Sequence, residues 1–370
     1  MIFSIITFAA VLSILVLVHE LGHFLAARRA GVWVEEFGFG IPPRIYGKKI
    51  GETLYSVNLL PFGGFVRLHG ETGEARVTQE KRAFINKSKS VRSVIILAGV
   101  VMNLVLAIVA FSSDYTLSGI PRDSKNVRVL EVSTGSPADV SGIKVGDVIK
   151  QIDGNMVNST DDFVSKSKSL SGKEINLTIQ REGVSELLTY SVLLRENPPQ
   201  GEGAMGVVIT TMETYFPPIW QRPFYGIYYG FKDAIYWGKV VIISAFTILK
   251  SLVGGSLPEG IAGPVGIYAI TTEVAKSGFL SLVNWVGIIS VNLAILNVLP
   301  IPALDGGRLF FILLEKLFGR KVAPKVEAYM QMASMAALIL FLLAITFKEV
   351  KILSKVGLSG YLEFVSKGGM

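Results

Sequence analysis

The amino-acid sequence predicts a polytopic α-helical membrane protein of about four transmembrane helices. A β-rich extracytoplasmic domain is inserted between the second and third, and a β-hairpin lies at the membrane edge. Three observations lead there. Half of the 370 residues are hydrophobic and the mean hydropathy is +0.50, far from soluble composition. Four apolar stretches each supply the roughly 20 residues that cross about 30 Å of hydrocarbon. Between the second and third, the pattern changes to short alternating runs such as Val127-Arg128-Val129-Leu130-Glu131-Val132, the period of strands with one buried face.

Residues 1–27 form the first span: an apolar run from Ile2 to Val18 that continues through His19 and Glu20 to about Ala27. No basic residue precedes it and polar groups lie inside it, so retention is expected rather than removal as a signal peptide. Residues 28–92 form a cytoplasmic-side loop, because from Phe24 to Arg92 twelve Lys or Arg stand against six Asp or Glu and the basic side of a membrane protein stays inside. Within it, Thr53–Leu60 reads as a strand, Pro61-Phe62-Gly63-Gly64 as a turn and Phe65–Leu68 as a second strand. Such a hairpin offers either an edge that clamps an extended chain or a plain structural loop.

Residues 93–113 form the second span, 114–203 the outer β-rich domain and 204–276 a linker. In the linker the apolar run Val240–Leu249 is closed in by Lys239 and Lys250, which is too short to span and reads as interfacial or buried. Its aromatic residues, among them Phe224, Tyr228 and Trp237, fit a headgroup belt or core packing. Residues 277–304 form the third span, 305–327 a basic loop with Arg308, Lys316, Arg320, Lys321 and Lys325, 328–347 the fourth span and 348–370 a tail. Four crossings place both termini outside.

The net charge of +7 belongs to these inner loops. No basic stripe with interleaved aromatics is present, so nucleic acid is excluded as a partner. The chain has no cysteine, which removes disulfides, thiolate metal sites and cysteine nucleophiles together.

Any metal must then be held by His, Asp or Glu. The first span contains His19-Glu20-Leu21-Gly22-His23; on a helix, residues four apart share a face, so both imidazoles reach one ion. Glu20 stands beside them, suited to take a proton from a zinc-bound water. A catalytic zinc needs a third protein ligand and an open position. His69 is the weaker candidate, in a stretch that reads as an exposed strand end or turn. Asp305 is the stronger, since Pro300 and Pro302 end the third helix and Gly306 and Gly307 let the backbone turn the carboxylate inward. Both halves of the site reach a similar depth, because spans one and three run in the same direction. Asn292 and Asn297 in the third span, and Gly99 and Asn103 in the second, fit helix packing as well as a role at the site.

In the outer domain, Ser136-Pro137-Ala138, then Ser141-Gly142-Ile143-Lys144-Val145-Gly146-Asp147-Val148-Ile149 and Ile152-Asp153-Gly154, resemble PDZ domains of the bacterial protease type. These bind an extended peptide at a sheet edge.

Taken in order, the His-Glu-x-x-His span, hairpin, second span, PDZ-like insert and Asn/Pro/Asp-Gly span resemble the bacterial site-2 proteases, the family that includes the regulator of sigma-E protease. Gly263-Pro264-Val265-Gly266-Ile267 is similar to the family's loop before the third span. The resemblance covers nearly the whole chain and implies an intramembrane zinc metalloendopeptidase of a bacterial inner membrane. It implies His19, His23 and Asp305 as zinc ligands, Glu20 as general base, and Asn292 and Asn297 as substrate-positioning groups. It also implies an active site toward the cytoplasmic face, and single-span membrane substrates such as anti-sigma factors or signal-peptide remnants. Further partners are a peptide ligand of the PDZ-like domain and the lipid bilayer. The chain has room for one PDZ-like domain where members with two in tandem are familiar.

Two readings from other classes compete. A binding module with a structural metal does not need Glu20. A metal transporter predicts ionisable groups along several spans, and spans two and four carry none.

Overall fold

The computed structural model describes residues 2–71, 77–199, 201–255, 262–319 and 324–368. The chain divides into two compact units, Met1–Ser118 with Pro218–Met370, and Gly119–Pro217. The first unit opens with α1 (Ile2–Arg29), β1 (Val34–Ile50), β2 (Thr53–Leu68) and α2 (Lys89–Ser118). The second carries β3 (Ile120–Val132), α3 (Pro137–Val140), β4 (Val148–Ile152), β5 (Asn155–Met156), α4 (Thr160–Ser169), β6 (Glu174–Gln180), β7 (Leu188–Leu193) and β8 (Val207–Tyr215). The first unit resumes with α5 (Arg222–Val253), α6 (Pro264–Lys276), α7 (Phe279–Val298), α8 (Asp305–Phe318) and α9 (Pro324–Gly368), which bends at Gly357.

Five helices of the described residues are long and apolar enough to cross a membrane: α1, α2, α7, residues 222–251 of α5 and residues 326–357 of α9. The sequence reading expected about four and took 204–276 as a linker. It stopped at Lys239 and Lys250, whereas α5 is one helix from Arg222 to Val253; nearer its start the Tyr115 hydroxyl donates to Asp233 at 2.7 Å, and Lys232 lies over the Tyr229 ring. Large apolar side chains such as Ile6, Phe246 and Leu340 are exposed, as a bilayer-solvated face requires.

Helix α2 packs against α1, α5 and α7. On one side Ala107 and Phe111 meet Ala234 and Val291, and Gly226 and Gly230 bring α5 within van der Waals reach of Thr116 and Ser112. Small residues permit this backbone approach in membrane helices.

The β-hairpin is larger than the sequence suggested. Its turn is Gly51-Glu52, and its first strand, β1, is one that Gly38, Gly40, Pro42 and Pro43 hide from an alternation test. Both strands bend. Glu36, Phe37, Gly38 and Phe39 stand beside Leu54, Tyr55, Ser56 and Val57 on one side, and beside Arg67, Val66, Phe65 and Gly64 on the other. The run 64–68 is therefore an edge, and the chain does reverse near Pro61–Gly64 even though 53–68 counts as one strand.

Helix α7 stops at Val298, followed by Pro300 and Pro302, which lack the N–H a helix needs. The expected loop 305–327 is instead helical from Asp305 to Phe318; Arg320 and Lys321 lie outside the described residues. A Cβ on Gly306 would stand 2.1 Å from the Leu299 carbonyl oxygen, so only glycine lets α8 start so close to the end of α7.

The second unit extends to β8, beyond the expected limit at residue 203. Its sheet has the order β7-β6-β4-β3-β8, with β5 on β4. Alternation fills the core: Ile175, Leu177 and Ile179 of β6 are buried against Ile149, Phe163 and Val192. Ser159 caps α4, its hydroxyl accepting from the Asp162 amide at 3.1 Å, a contact that stabilises a helix by about 1 kcal/mol. Strand β8 is at the edge of the sheet. A cavity of about 370 Å³ lies beside it, lined by Phe163 and Ser167 of α4, Met205, and Val207 and Ile209 of β8.

Candidate metal centre

The site is built by the last turns of α1, the middle of α2 and the first residue of α8. Val11, Leu15, His19 and Gly22 recur on the buried face of α1, so the spacing that packs the helix also turns His19 inward. A Cβ on Gly22 would stand 2.3 Å from the Ala98 carbonyl oxygen, which shows how closely the two backbones approach there.

His19, His23 and Asp305 come together. His19 Nε2 is 3.0 Å from Asp305 Oδ2, His23 Nε2 is 3.1 Å from His19 Nε2, and His23 Nε2 is 3.3 Å from Asp305 Oδ2. Ligands of a tetrahedral zinc at about 2.0–2.1 Å stand about 3.3 Å apart. The donor chemistry also fits. The Ile95 carbonyl is 2.9 Å from His23 Nδ1 and accepts its proton, so a neutral His23 presents Nε2 as a bare lone pair toward another nitrogen and a carboxylate. With His19 in the same tautomer, three lone pairs meet at one point, an arrangement that a cation between them satisfies. Among the described residues these three form the cluster able to hold a metal ion.

Glu20, Phe65 and Arg308 line the same cavity, of about 330 Å³. Phe65, Val66 and Leu68 bring the hairpin edge to it. Arg308, one turn after Asp305, donates to Glu71 just past β2. Burial works against its charge, but the carboxylates of Glu71 and Asp305 outweigh that and hold its pKa above the usual arginine value.

His69 is elsewhere. Its Nδ1 donates to Glu35 at 2.7 Å and its Nε2 accepts from the Gln79 amide, so both ring nitrogens are satisfied inside the loop. This places a residue that reads as exposed in a buried position, 2% exposed. Asn292 donates to the Ile288 carbonyl of its own helix at 3.2 Å. Asn297 is half-buried, and its carboxamide makes no hydrogen bond to a described residue. Sequence reasoning missed Arg308 and Glu71 at the cavity, and the Ile95 carbonyl, a backbone group with no side-chain signal. Gly99, ambiguous in the sequence, lies against both imidazoles: a Cβ there would stand 2.5 Å from His23 Nε2 and 2.7 Å from His19 Cε1.

The chain is similar to known proteins over nearly its whole length. The model of peptidase family M50 matches residues 7–341. A candidate zinc metalloprotease of Clostridium perfringens is 33% identical over 351 residues, covering 94% of this chain and 98% of its own. The regulator of sigma-W protease RasP of Bacillus subtilis is 28% identical over 427 residues, covering 94% and 98%. Among solved structures, the PDZ domain of an SdrC-like protein from Listeria monocytogenes is 22% identical over 23% of this chain and 87% of its own, with a TM-score of 0.21.

Proposed function

Because the chain belongs to peptidase family M50 and is an integral-membrane zinc metalloprotease, we propose that it cuts single-span membrane proteins within or at the edge of the bilayer. One observation carries the proposal: the triangle of His19, His23 and Asp305 shares its cavity with Glu20 and with the open edge of β2. A protease needs a metal, a base and a place to lay an extended chain, and the three coincide here.

His19, His23 and Asp305 hold the zinc. Zinc held there would supply Lewis-acid polarisation and lower the pKa of the attacking water. Glu20, the neighbour of His19, takes the proton from that water and returns it to the leaving amide nitrogen. The edge run 64–68 holds the unwound substrate by strand addition, since its outer side pairs with no strand among the described residues. The free carboxamide of Asn297 hydrogen-bonds the substrate backbone, and Asn292, with its amide engaged, offers its oxygen alone.

The basic 28–92 loop and Asp305 belong to the cytoplasmic face, by the positive-inside rule, and the Gly119–Pro217 unit to the outer side. In that unit the groove between α4 and β8 takes an extended peptide. Substrates are then membrane proteins already trimmed outside, such as anti-sigma-factor-like chains or signal-peptide remnants.

The test is cleavage of a single-span substrate by the purified full chain in detergent, native against Glu20→Gln, with zinc measured in both. Cleavage by the native chain alone with equal zinc supports the assignment. Cleavage by Glu20→Gln at native rate removes Glu20 as the base.

A further inference from the structure

The two imidazoles are held from behind by one face of α2. Each presents Nε2 to the ligand triangle, so each needs an acceptor for its Nδ1–H. For His23 the Ile95 carbonyl provides it. Two turns further along α2 stands Asn103, 0% exposed, with its Nδ2 3.4 Å from His19 Nδ1. Its Oδ1 is buried and meets no donor among the described residues. Two nitrogens face each other while an acceptor is left orphaned beside them, an arrangement that is costly in a protein interior.

A half-turn of the carboxamide about Cβ–Cγ removes both faults, because oxygen and nitrogen exchange places. We propose that Asn103 is a positioning residue of the metal centre. Its Oδ1 accepts the His19 Nδ1–H and so fixes the tautomer whose Nε2 lone pair faces the zinc. The inference rests on His19 being a ligand. The backbone at this level is fixed independently of the side chain, since Ser290 Oγ of α7 donates to the Asn103 carbonyl at 2.8 Å. Ile95, Gly99 and Asn103 then form a platform at four-residue spacing: an acceptor for His23, a bare surface under both rings, and an acceptor for His19.

Zinc itself is the probe, titrated into the metal-free full chain in detergent against a chromophoric chelator. Asn103→Leu removes the acceptor and is expected to weaken zinc binding about 10–100-fold. Asn103→Asp keeps an acceptor and is expected to bind at least as tightly as native. If leucine lowers the unfolding temperature of the metal-free chain, Asn103→Ala replaces it in the comparison. The visible spectrum of the cobalt-loaded chain adds a direct readout, with native and Asn103→Asp alike and the apolar variant altered. Equal zinc affinity of native and apolar variants overturns the proposal, as does an Asn103→Asp affinity as poor as theirs. An affinity that His19→Ala leaves unchanged overturns the ligand assignment beneath it, which is a separate failure.

Discussion

Arg92 of α2 and Glu315 of α8 form a buried ion pair, with Nη2 2.5 Å from Oε2 and side chains 7% and 10% exposed. Lys89 adds a hydrogen bond to the Glu315 carbonyl at 3.0 Å. The pair ties the helix that backs the two histidines to the helix that begins with Asp305. It thereby fixes one side of the ligand triangle from about three turns away along α8.

Removing one partner leaves the other charged, buried and alone, at a cost of about 3–5 kcal/mol. Arg92→Met and Glu315→Leu are each expected to lower the unfolding temperature markedly in detergent. The double variant should recover most of the loss, since an apolar pair of similar volume is often neutral. A double variant as unstable as the worse single one would show that the helices are held by something other than this pair.

Gly99 allows a second, more local expectation. A methyl there would overlap both imidazoles, and at Gly22 the backbones of α1 and α2 already meet closely. Overpacking of this kind costs about 1–3 kcal/mol, less than the about 5–15 kcal/mol by which folded proteins are stable, so Gly99→Ala should fold. Its zinc content after purification is expected to fall well below that of the native chain, and its cleavage with it. Native zinc content in Gly99→Ala would mean that the rings tolerate displacement.

The difference between what was legible in the sequence and what was not follows from where the information resides. That His19 and His23 share a face needs only the helical period, which no tertiary context changes. That Asp305 meets them was readable because two prolines and two glycines mark a forced stop and a close approach at the end of the helix. Strand β1 was not readable: its glycines and prolines break the alternation, and its pairing comes from β2 on both sides. The full length of helix α5 was not legible because Lys239 and Lys250 bracket its most apolar part, whereas the helix begins at Arg222. The Ile95 carbonyl has no residue type to betray it, and Asn103 is ambiguous until its oxygen is seen to lack a donor.

Glu349 of α9 gives the last expectation. It is 3% exposed, and one carboxylate oxygen, Oε1, accepts from the Gly263 amide at 2.7 Å, the Gly266 amide at 3.1 Å and the Tyr361 hydroxyl at 2.6 Å. It thus closes the N-terminus of α6, where orphan amides gather, and joins it to the far side of the Gly357 bend. Its other oxygen has no donor among the described residues, so the contact depends on an acceptor atom more than on a full carboxylate. Glu349→Gln keeps that acceptor and is expected to lie within about 1 kcal/mol of native, whereas Glu349→Leu strands three buried donors at about 1–3 kcal/mol each. Thermal unfolding in detergent separates the two. If glutamine proves as damaging as leucine, the negative charge itself is what α6 requires, and the helix dipole rather than the hydrogen-bond count governs this end of the molecule.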